Sequence, residues 1–232
     1  MPEWQAKTFK KGASKLSNAL RGVSSRRNVV VTFAKKHHLI YFQSVHPDNE
    51  RTPMIRGTSV SPDQIDTSYC IGSHADYDMT FVERMATVSF ENYKSTTHRW
   101  YVLQIDLKHA HSLPFIFLGT KQQTKAYYAR VLTAHREAKY LSLVSLSDKS
   151  PIFHAAYALL ASPAILPLLD QLFTDDIVNS IATYKHPFAV EIEGDSVIVI
   201  TEAQKPSEQL LDELLHYGLW MAKAIDNRLI VS

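Results

Sequence analysis

The alternation of apolar and polar positions is clearest near the C-terminus. Residues 187–193 and 196–202 are rich in β-branched side chains and flank Gly194-Asp195. Glycine at the first position of a two-residue loop supplies the positive φ of a type II′ turn, so a hairpin is predicted. Ser207 is a suitable N-cap for a helix over 207–226. The apolar stripe of that helix recurs at helical spacing and contains Leu211, Leu214, Leu215, Gly218, Ala222 and Ile225.

Further upstream, aromatic and β-branched residues predict a block of strands. The predicted strands are 67–73, 77–90, 98–107 and 113–118, and a helix is predicted over 122–138. In the third strand Tyr101 and Leu103 alternate with Trp100 and Val102, so both faces of the sheet need some cover. These elements predict an α+β fold with a largely antiparallel sheet, flanking helices and a strand–strand–helix unit at the C-terminus.

Three other segments give less direct patterns. In 77–90 the favoured face switches between Phe81 and Val88, which predicts a bulge near 83–86. Residues 28–39 favour a helix capped by Asn28, although their three consecutive valines also suit a strand. Residues 152–161 fit either a strand or the start of a helix.

The N-terminal 27 residues differ from the rest in charge. They contain seven basic side chains and one acidic side chain, whereas the whole chain has a net charge of only +2. The basic residues proposed to contact a membrane or another anion are Lys7, Lys10, Lys11, Lys15 and Arg21. An apolar stripe predicts a helix, and it contains Phe9, Ala13, Leu16, Leu20 and Val23. The chain is therefore divided into a basic amphipathic arm, 1–27, and a single α+β domain, 28–232.

A basic amphipathic helix has three interpretations. It can lie in an anionic membrane interface, with Trp4 and Phe9 inserted and the lysines near the headgroups. It can equally pack on its own domain and leave the basic face in water. Nucleic acid is the third partner, and it is less favoured because the aromatic residues are not interleaved with the basic ones.

Composition limits the class of protein. Hydrophobic residues make up 45% and charged residues 21% of the chain, values typical of a folded domain. No apolar run is long enough for a membrane-spanning helix, and the charged N-terminus does not resemble a signal peptide. The single cysteine, Cys70, fits a reducing compartment. We therefore expect a cytoplasmic protein with a peripheral attachment to the membrane.

The order of these elements resembles a family of uncharacterised bacterial domain-of-unknown-function proteins. The matching motifs are Phe33-Ala-Lys-Lys-His-His-Leu-Ile-Tyr41, Ile71-Gly-Ser-His-Ala-Asp-Tyr-Asp78, Leu113-Pro114, Phe153-His-Ala-Ala-Tyr157 and Val190-Glu-Ile-Glu-Gly-Asp195. The resemblance implies a compact α+β domain, soluble or tethered to a membrane. It implies no activity and no catalytic residues.

One cluster has the side chains that a metal site needs. His74, Asp76 and Asp78 alternate, so in an extended segment all three would project to one face. Imidazole and carboxylate groups can share a cation, which makes these residues the candidate metal ligands. The alternative is a polar hairpin turn, because turns favour such residues in any case.

Other catalytic signatures are weak or missing from the sequence. There is no Gly-x-Ser-x-Gly elbow, and seven glycines provide no phosphate-binding loop. Glu83, Asp106 and His98 could meet across strands as an acid–base group, but cross-strand ion pairing with Arg84 or Arg99 is the simpler expectation. The pairs His37-His38 and His109/His111 lack zinc-site spacing, and Cys70 lies in an apolar strand.

The sequence therefore favours a non-catalytic binding or scaffold module without a cofactor. The partner that it favours is an anionic membrane surface or another protein. The alternative is a metal-dependent hydrolase that uses His74, Asp76 and Asp78.

Overall fold

The computed structural model describes residues 25–44, 64–90, 93–109, 112–121, 125–141 and 151–230. The strands are β1 (Ile40–Phe42), β2 (Ile65–His74), β3 (Tyr77–Phe90), β4 (Tyr93–Asp106), β5 (Leu113–Thr120), β6 (Lys139–Leu141), β7 (Tyr157–Ala161), β8 (Ala189–Gly194) and β9 (Ser196–Glu202). The helices are α1 (25–36), α2 (Lys125–Ala134), α3 (Pro151–Ala156), α4 (Leu166–Leu172), α5 (Asp175–Thr183) and α6 (Glu208–Leu229). A short 3₁₀ turn, Pro163–Ile165, precedes α4.

Within these ranges, nine strands form one antiparallel sheet in the order β1-β2-β3-β4-β9-β8-β5-β7-β6. The C-terminal hairpin β8–β9 lies in its middle, between β4 and β5. Gly194 has φ of 65° and is followed by Asp195 in a two-residue loop, as the sequence predicts. The α+β class, the antiparallel sheet and the C-terminal strand–strand–helix unit are confirmed.

Most of the hydrophobic core lies on one face of the sheet, which we call the major face. Helices α1, α4, α5 and α6 cover it with apolar side chains such as Phe33, Leu169, Ile181 and Leu214. Ser207 caps α6, its Oγ accepting a hydrogen bond from the Leu210 amide. The predicted stripe of α6 is buried as expected, because 3.6 residues per turn bring its members to one side.

The opposite face, which we call the minor face, carries a second apolar cluster. Trp100 and Val102 of β4 lie there, and α2 contributes Tyr127, Tyr128 and Val131. The ring of Trp100 is 6.2 Å from that of Tyr127. The expectation that both faces of β4 need cover is therefore confirmed.

Polar contacts join helix α6 to α1 and to the turn after β4. The buried carboxylate of Asp226 accepts hydrogen bonds from the backbone amides of Lys108 and His109, at 3.1 and 3.0 Å. Near the other end of α6, Asp212 accepts from Lys36 Nζ and lies 2.7 Å from His37 Nε2. These contacts attach α1 and the turn after β4 to the same helix.

The less direct sequence patterns have mixed outcomes. Residues 25–36 are helical, so the helix predicted over 28–39 is confirmed, but its last residues belong to the turn before β1. The segment 152–161 contains both alternatives, since α3 ends at Ala156 and β7 begins at Tyr157. Three-residue strands such as β1 and β6 are too short to give a period-two pattern.

The predicted position of the bulge is wrong. The extra residue lies in β2, where the register shifts between Thr67 and Cys70, rather than at 83–86 of β3. Ser68 has φ of 58°, and its amide donates to the Gln43 carbonyl at 3.0 Å. Strand β3 keeps its alternation, with Phe81 in the major-face core and Val82 and Ala86 in the minor-face cluster, so apolar residues on both faces gave the impression of a switch.

The arm and the predicted helix within it lie outside the described residues. Because α1 already includes residues 25–27, the division predicted between 27 and 28 falls inside this helix. None of the helices in the described part is both long and apolar enough to span a membrane.

Replacing Gly119 with alanine is expected to destabilise the minor face. A Cβ there would lie 2.5 Å from Cε1 of Tyr128 and 2.7 Å from Cε1 of Phe117, so both rings must shift. We expect Gly119→Ala to lower the free energy of unfolding by about 1–3 kcal/mol in urea titrations. Gly72→Ala is the control, because the nearest atom to its Cβ would be Leu39 Cδ2 at 3.1 Å, the end of a flexible side chain. Equal losses in the two variants would contradict the packing described.

The α1–α6 contact is expected to weaken in acid. Burial opposes ionisation of Asp212, but hydrogen bonds from Lys36 and His37 outweigh it and lower the pKa of this carboxyl. A lowered folded-state pKa stabilises the protein above the unfolded pKa, and the stabilisation disappears as the pH falls through the folded value. We expect Asp212→Asn to cost about 0.5–1 kcal/mol at pH 7 in urea titrations.

The same stability difference should shrink below about pH 4, the ordinary pKa range of aspartate. The exposed Glu137→Gln is a control for loss of a surface carboxylate. A difference between wild type and Asp212→Asn that stays constant from neutral pH into acid would contradict the role of this contact.

Candidate functional site

The sheet brings an imidazole and a carboxylate together on the minor face. Trp100 of β4 pairs with Glu202 of β9, and His98 lies two residues before Trp100 on the same face. His98 Nδ1 and Glu202 Oε1 are 2.7 Å apart, although the residues are separated by 104 positions in the chain. We call this pair the His98–Glu202 dyad.

Aromatic stacking orients the imidazole of the dyad. The rings of His98 and Trp100 are nearly parallel, at 11°, with their centroids 5.4 Å apart. The side chain of His98 remains 21% exposed. Beneath it, Trp100 is buried, and its Nε1 has no acceptor among the residues that the structure describes.

A pocket of about 360 Å³ lies beside the dyad. Glu202 is part of its wall, and the other polar residues that line it are Thr120, Thr201 and Gln204. Pro187 and Ile200 supply apolar surface. This volume is within the range of small-molecule sites, about 300–1,000 Å³.

The candidate metal ligands form the tip of the β2–β3 hairpin. Ala75 and Asp76 make the turn, with φ of 50° and 63°. His74 pairs with Tyr77, whereas Ser73 pairs with Asp78, so His74 and Asp78 point to opposite faces. The expectation of one shared face is wrong, because the turn interrupts the extended segment on which it depended.

The side chains of His74 and Asp78 have different neighbours. The ring of His74 meets that of His37 edge-on, with centroids 5.1 Å apart, and Asp78 accepts a hydrogen bond from Ser73 Oγ. In the part of the chain that the structure describes, no three histidine, cysteine, aspartate or glutamate side chains are grouped so that they could hold a metal ion.

Buried charges on the major face pair across strands. Glu83 forms an ion pair with Arg99 and accepts a hydrogen bond from Ser68 Oγ at 3.2 Å. The hydroxyl of Tyr101 is buried nearby, and burial together with the Glu83 carboxylate raises the pKa of Tyr101. The expected cross-strand ion pairing with Arg99 is confirmed, and its partner is Glu83.

On the minor face, the neighbouring residue Arg84 makes a bidentate pair with Asp66, with contacts of 2.8 and 2.7 Å. Asp106 lies at the end of β4 and accepts hydrogen bonds from Ser196 and Gln104. The structure therefore does not assemble Glu83, Asp106 and His98 into an acid–base group.

The other candidate residues from the sequence do not form a site in the part of the chain that the structure describes. Burial raises the pKa of the Cys70 thiol to about 12, so the thiol is protonated and unreactive at neutral pH. His109 Nδ1 is 3.6 Å from Asp226 Oδ1, while His111 lies outside the described residues. The proposed contact residues of the arm, from Lys7 to Arg21, also lie outside them.

Sequence reasoning did not identify Glu202 as a partner of His98. The only signal was indirect, since Glu202 ends an apolar strand with a charged residue at a position that would otherwise continue the buried alternation. The partner strand of β4 is set by the topology of the sheet, which no local pattern reveals.

Comparisons with known proteins show the fold. No protein-family model matches the chain, and no curated protein matches it. Among solved structures, it is similar to the crystal structure of the mycobacterial trehalose monomycolate transport factor A, TtfA, with a TM-score of 0.57 and 14% sequence identity. The match covers 90% of this chain and 95% of that chain. A bacterial protein therefore shares this fold, while membership of the domain-of-unknown-function family stays a prediction.

Proposed function

We propose that the protein is a non-catalytic binding module that attaches to an anionic membrane surface through its basic arm. The observation that carries this proposal is the separation of charge along the chain. Residues 1–27 have seven basic and one acidic side chain, which leaves 18 basic and 22 acidic side chains in the remaining 205 residues. The attraction to anions is therefore concentrated in the arm.

The described structure supports a mechanical link between the arm and the domain. Helix α1, which includes the last three residues of the arm, buries Val30, Phe33 and Ala34 in the major face. Arg27 and Lys35 of the same helix are exposed. A membrane-bound arm would therefore hold the folded domain through a packed helix.

The energy of such attachment is sufficient for reversible binding. Each basic residue close to an anionic surface contributes about 1 kcal/mol. The five proposed contact residues together provide about 5 kcal/mol, which exceeds the about 4 kcal/mol of a millimolar complex, and insertion of Trp4 and Phe9 would add to it. Electrostatic binding of this kind weakens as salt screens the charges.

The folded domain fits the scaffold part of the proposal. Its buried charges connect strands and helices, as Glu83–Arg99, Asp66–Arg84 and Asp226 illustrate. Ion pairs between strands hold the register of the sheet, a structural task.

The competing hypothesis, a metal-dependent hydrolase using His74, Asp76 and Asp78, has a direct test. We expect purified protein to contain less than stoichiometric metal by elemental analysis, and divalent cations to leave the melting temperature unchanged. Stoichiometric metal that is lost in an Asp76→Ala, Asp78→Ala double variant would instead favour the hydrolase.

Vesicle binding tests the proposed attachment. We expect the full chain to co-sediment at low salt with vesicles of phosphatidylglycerol and phosphatidylcholine, but not with phosphatidylcholine alone. Deleting residues 1–24, which keeps the described residues 25–36 of α1, should abolish co-sedimentation and keep the melting temperature within a few degrees. A triple variant, Lys7→Gln, Lys10→Gln and Lys11→Gln, should weaken binding at least tenfold, because about 3 kcal/mol of attraction is removed.

A matched triple variant in the domain keeps the change in net charge constant. Lys139, Lys185 and Lys205 are exposed, and their replacement by glutamine should leave vesicle binding nearly unchanged. If the truncated protein unfolds, the arm belongs to the core. If the full chain ignores anionic vesicles but binds nucleic acid with a steep dependence on salt, the proposed partner is wrong.

A further inference from the structure

We infer that the pocket beside the His98–Glu202 dyad binds a small, uncharged molecule rich in hydroxyl groups. This site is independent of the arm, since every residue that defines it lies in β4, β5, β8, β9 or the segments next to β8 and β9. Three properties of the site lead to this class of ligand: its charge, its hydrogen-bonding groups and its apolar wall.

The charge of the pocket disfavours anions. Glu202 brings a carboxylate into the wall, and none of the described residues that line the pocket is a lysine or an arginine. A phosphate or carboxylate ligand would face the carboxylate of Glu202, and no lysine or arginine of the described lining would offset the repulsion. The ligand is therefore neutral or cationic.

The hydrogen-bonding groups favour hydroxyls over an ammonium group. Besides Glu202, the lining includes Gln204, whose side-chain amide offers both a donor and an acceptor. Amides and hydroxyls both donate and accept, whereas an ammonium only donates. A polyhydroxylated ligand can satisfy groups of both kinds, and Pro187 and Ile200 offer apolar surface to its C–H groups.

The dyad keeps the carboxylate in place for such a ligand. Nδ1 of His98 lies 2.7 Å from Oε1 of Glu202, and the imidazole stacks on the ring of Trp100. Oε2 has no hydrogen-bond partner among the residues that the structure describes, so it is free to accept from a ligand hydroxyl. A carboxylate that is already oriented loses less side-chain entropy when it binds.

The experiment is an NMR titration of the ¹⁵N-labelled full chain with glucose and, separately, with myo-inositol. The reporters are the indole N–H of Trp100, which is buried beneath the dyad, and the side-chain amide of Gln204. We expect saturable shifts of both signals with a dissociation constant on the order of 1 mM, the value typical of a ligand with about twelve non-hydrogen atoms.

Variants assign the binding to this pocket. Glu202→Gln keeps the shape of the side chain and should weaken binding about tenfold, the usual loss for a hydrogen bond to a charged group. Gln204→Ala, which lies in the segment after β9, is a second variant and should weaken binding without unfolding the protein. The exposed Glu137→Gln should bind as the wild type does.

Three outcomes would overturn the inference. The first is the absence of saturable shifts with both glucose and myo-inositol. The second is a shift that persists unchanged in Glu202→Gln and Gln204→Ala, which would place binding elsewhere. The third is a response to choline or to inorganic phosphate at lower concentration than to either polyol, which would assign the pocket to a charged ligand.

Discussion

The rest of the structure depends on the insertion of the C-terminal hairpin into the middle of the sheet. Strands β8 and β9 join the N-terminal strands, through β4, to β5 and the strands beyond it. Both faces of the hairpin are covered, so Val197, Ile198, Val199 and Ile200 are all buried. Such a hairpin cannot be stable as a free unit in water, and its burial supplies the hydrophobic free energy that holds the two halves together.

This insertion also determines where α6 can lie. The helix follows β9 directly and returns across the major face, where its Gly218 approaches Ile105, Leu103 and Val199. Asp226 then reaches the turn after β4. The contacts between β4 and β9 join residues far apart in sequence. Closing this long loop costs conformational entropy, and the cost precedes the energy that the strand contacts provide.

The same pairing creates the candidate binding site. Neither His98 nor Glu202 has the other nearby in the chain, and only the β4–β9 register places them 2.7 Å apart. The polar groups of the site therefore arise where the apolar alternation of two central strands ends. The basic arm differs in this respect. Its charged residues lie close together in the sequence, so its positive charge is concentrated without any tertiary contact.

Periodicity alone determined the type of most long elements. The hairpin turn at Gly194, the buried stripe of α6 and the two covered faces around Trp100 follow from local spacing, because side-chain direction repeats every 2 residues in a strand and every 3.6 in a helix. Short strands and the bulge at Ser68 carry too few repeats for this rule. The order of the strands, the partner of His98 and the opposite directions of His74 and Asp78 were decided only by tertiary structure, since these features depend on which strands pair and in which register.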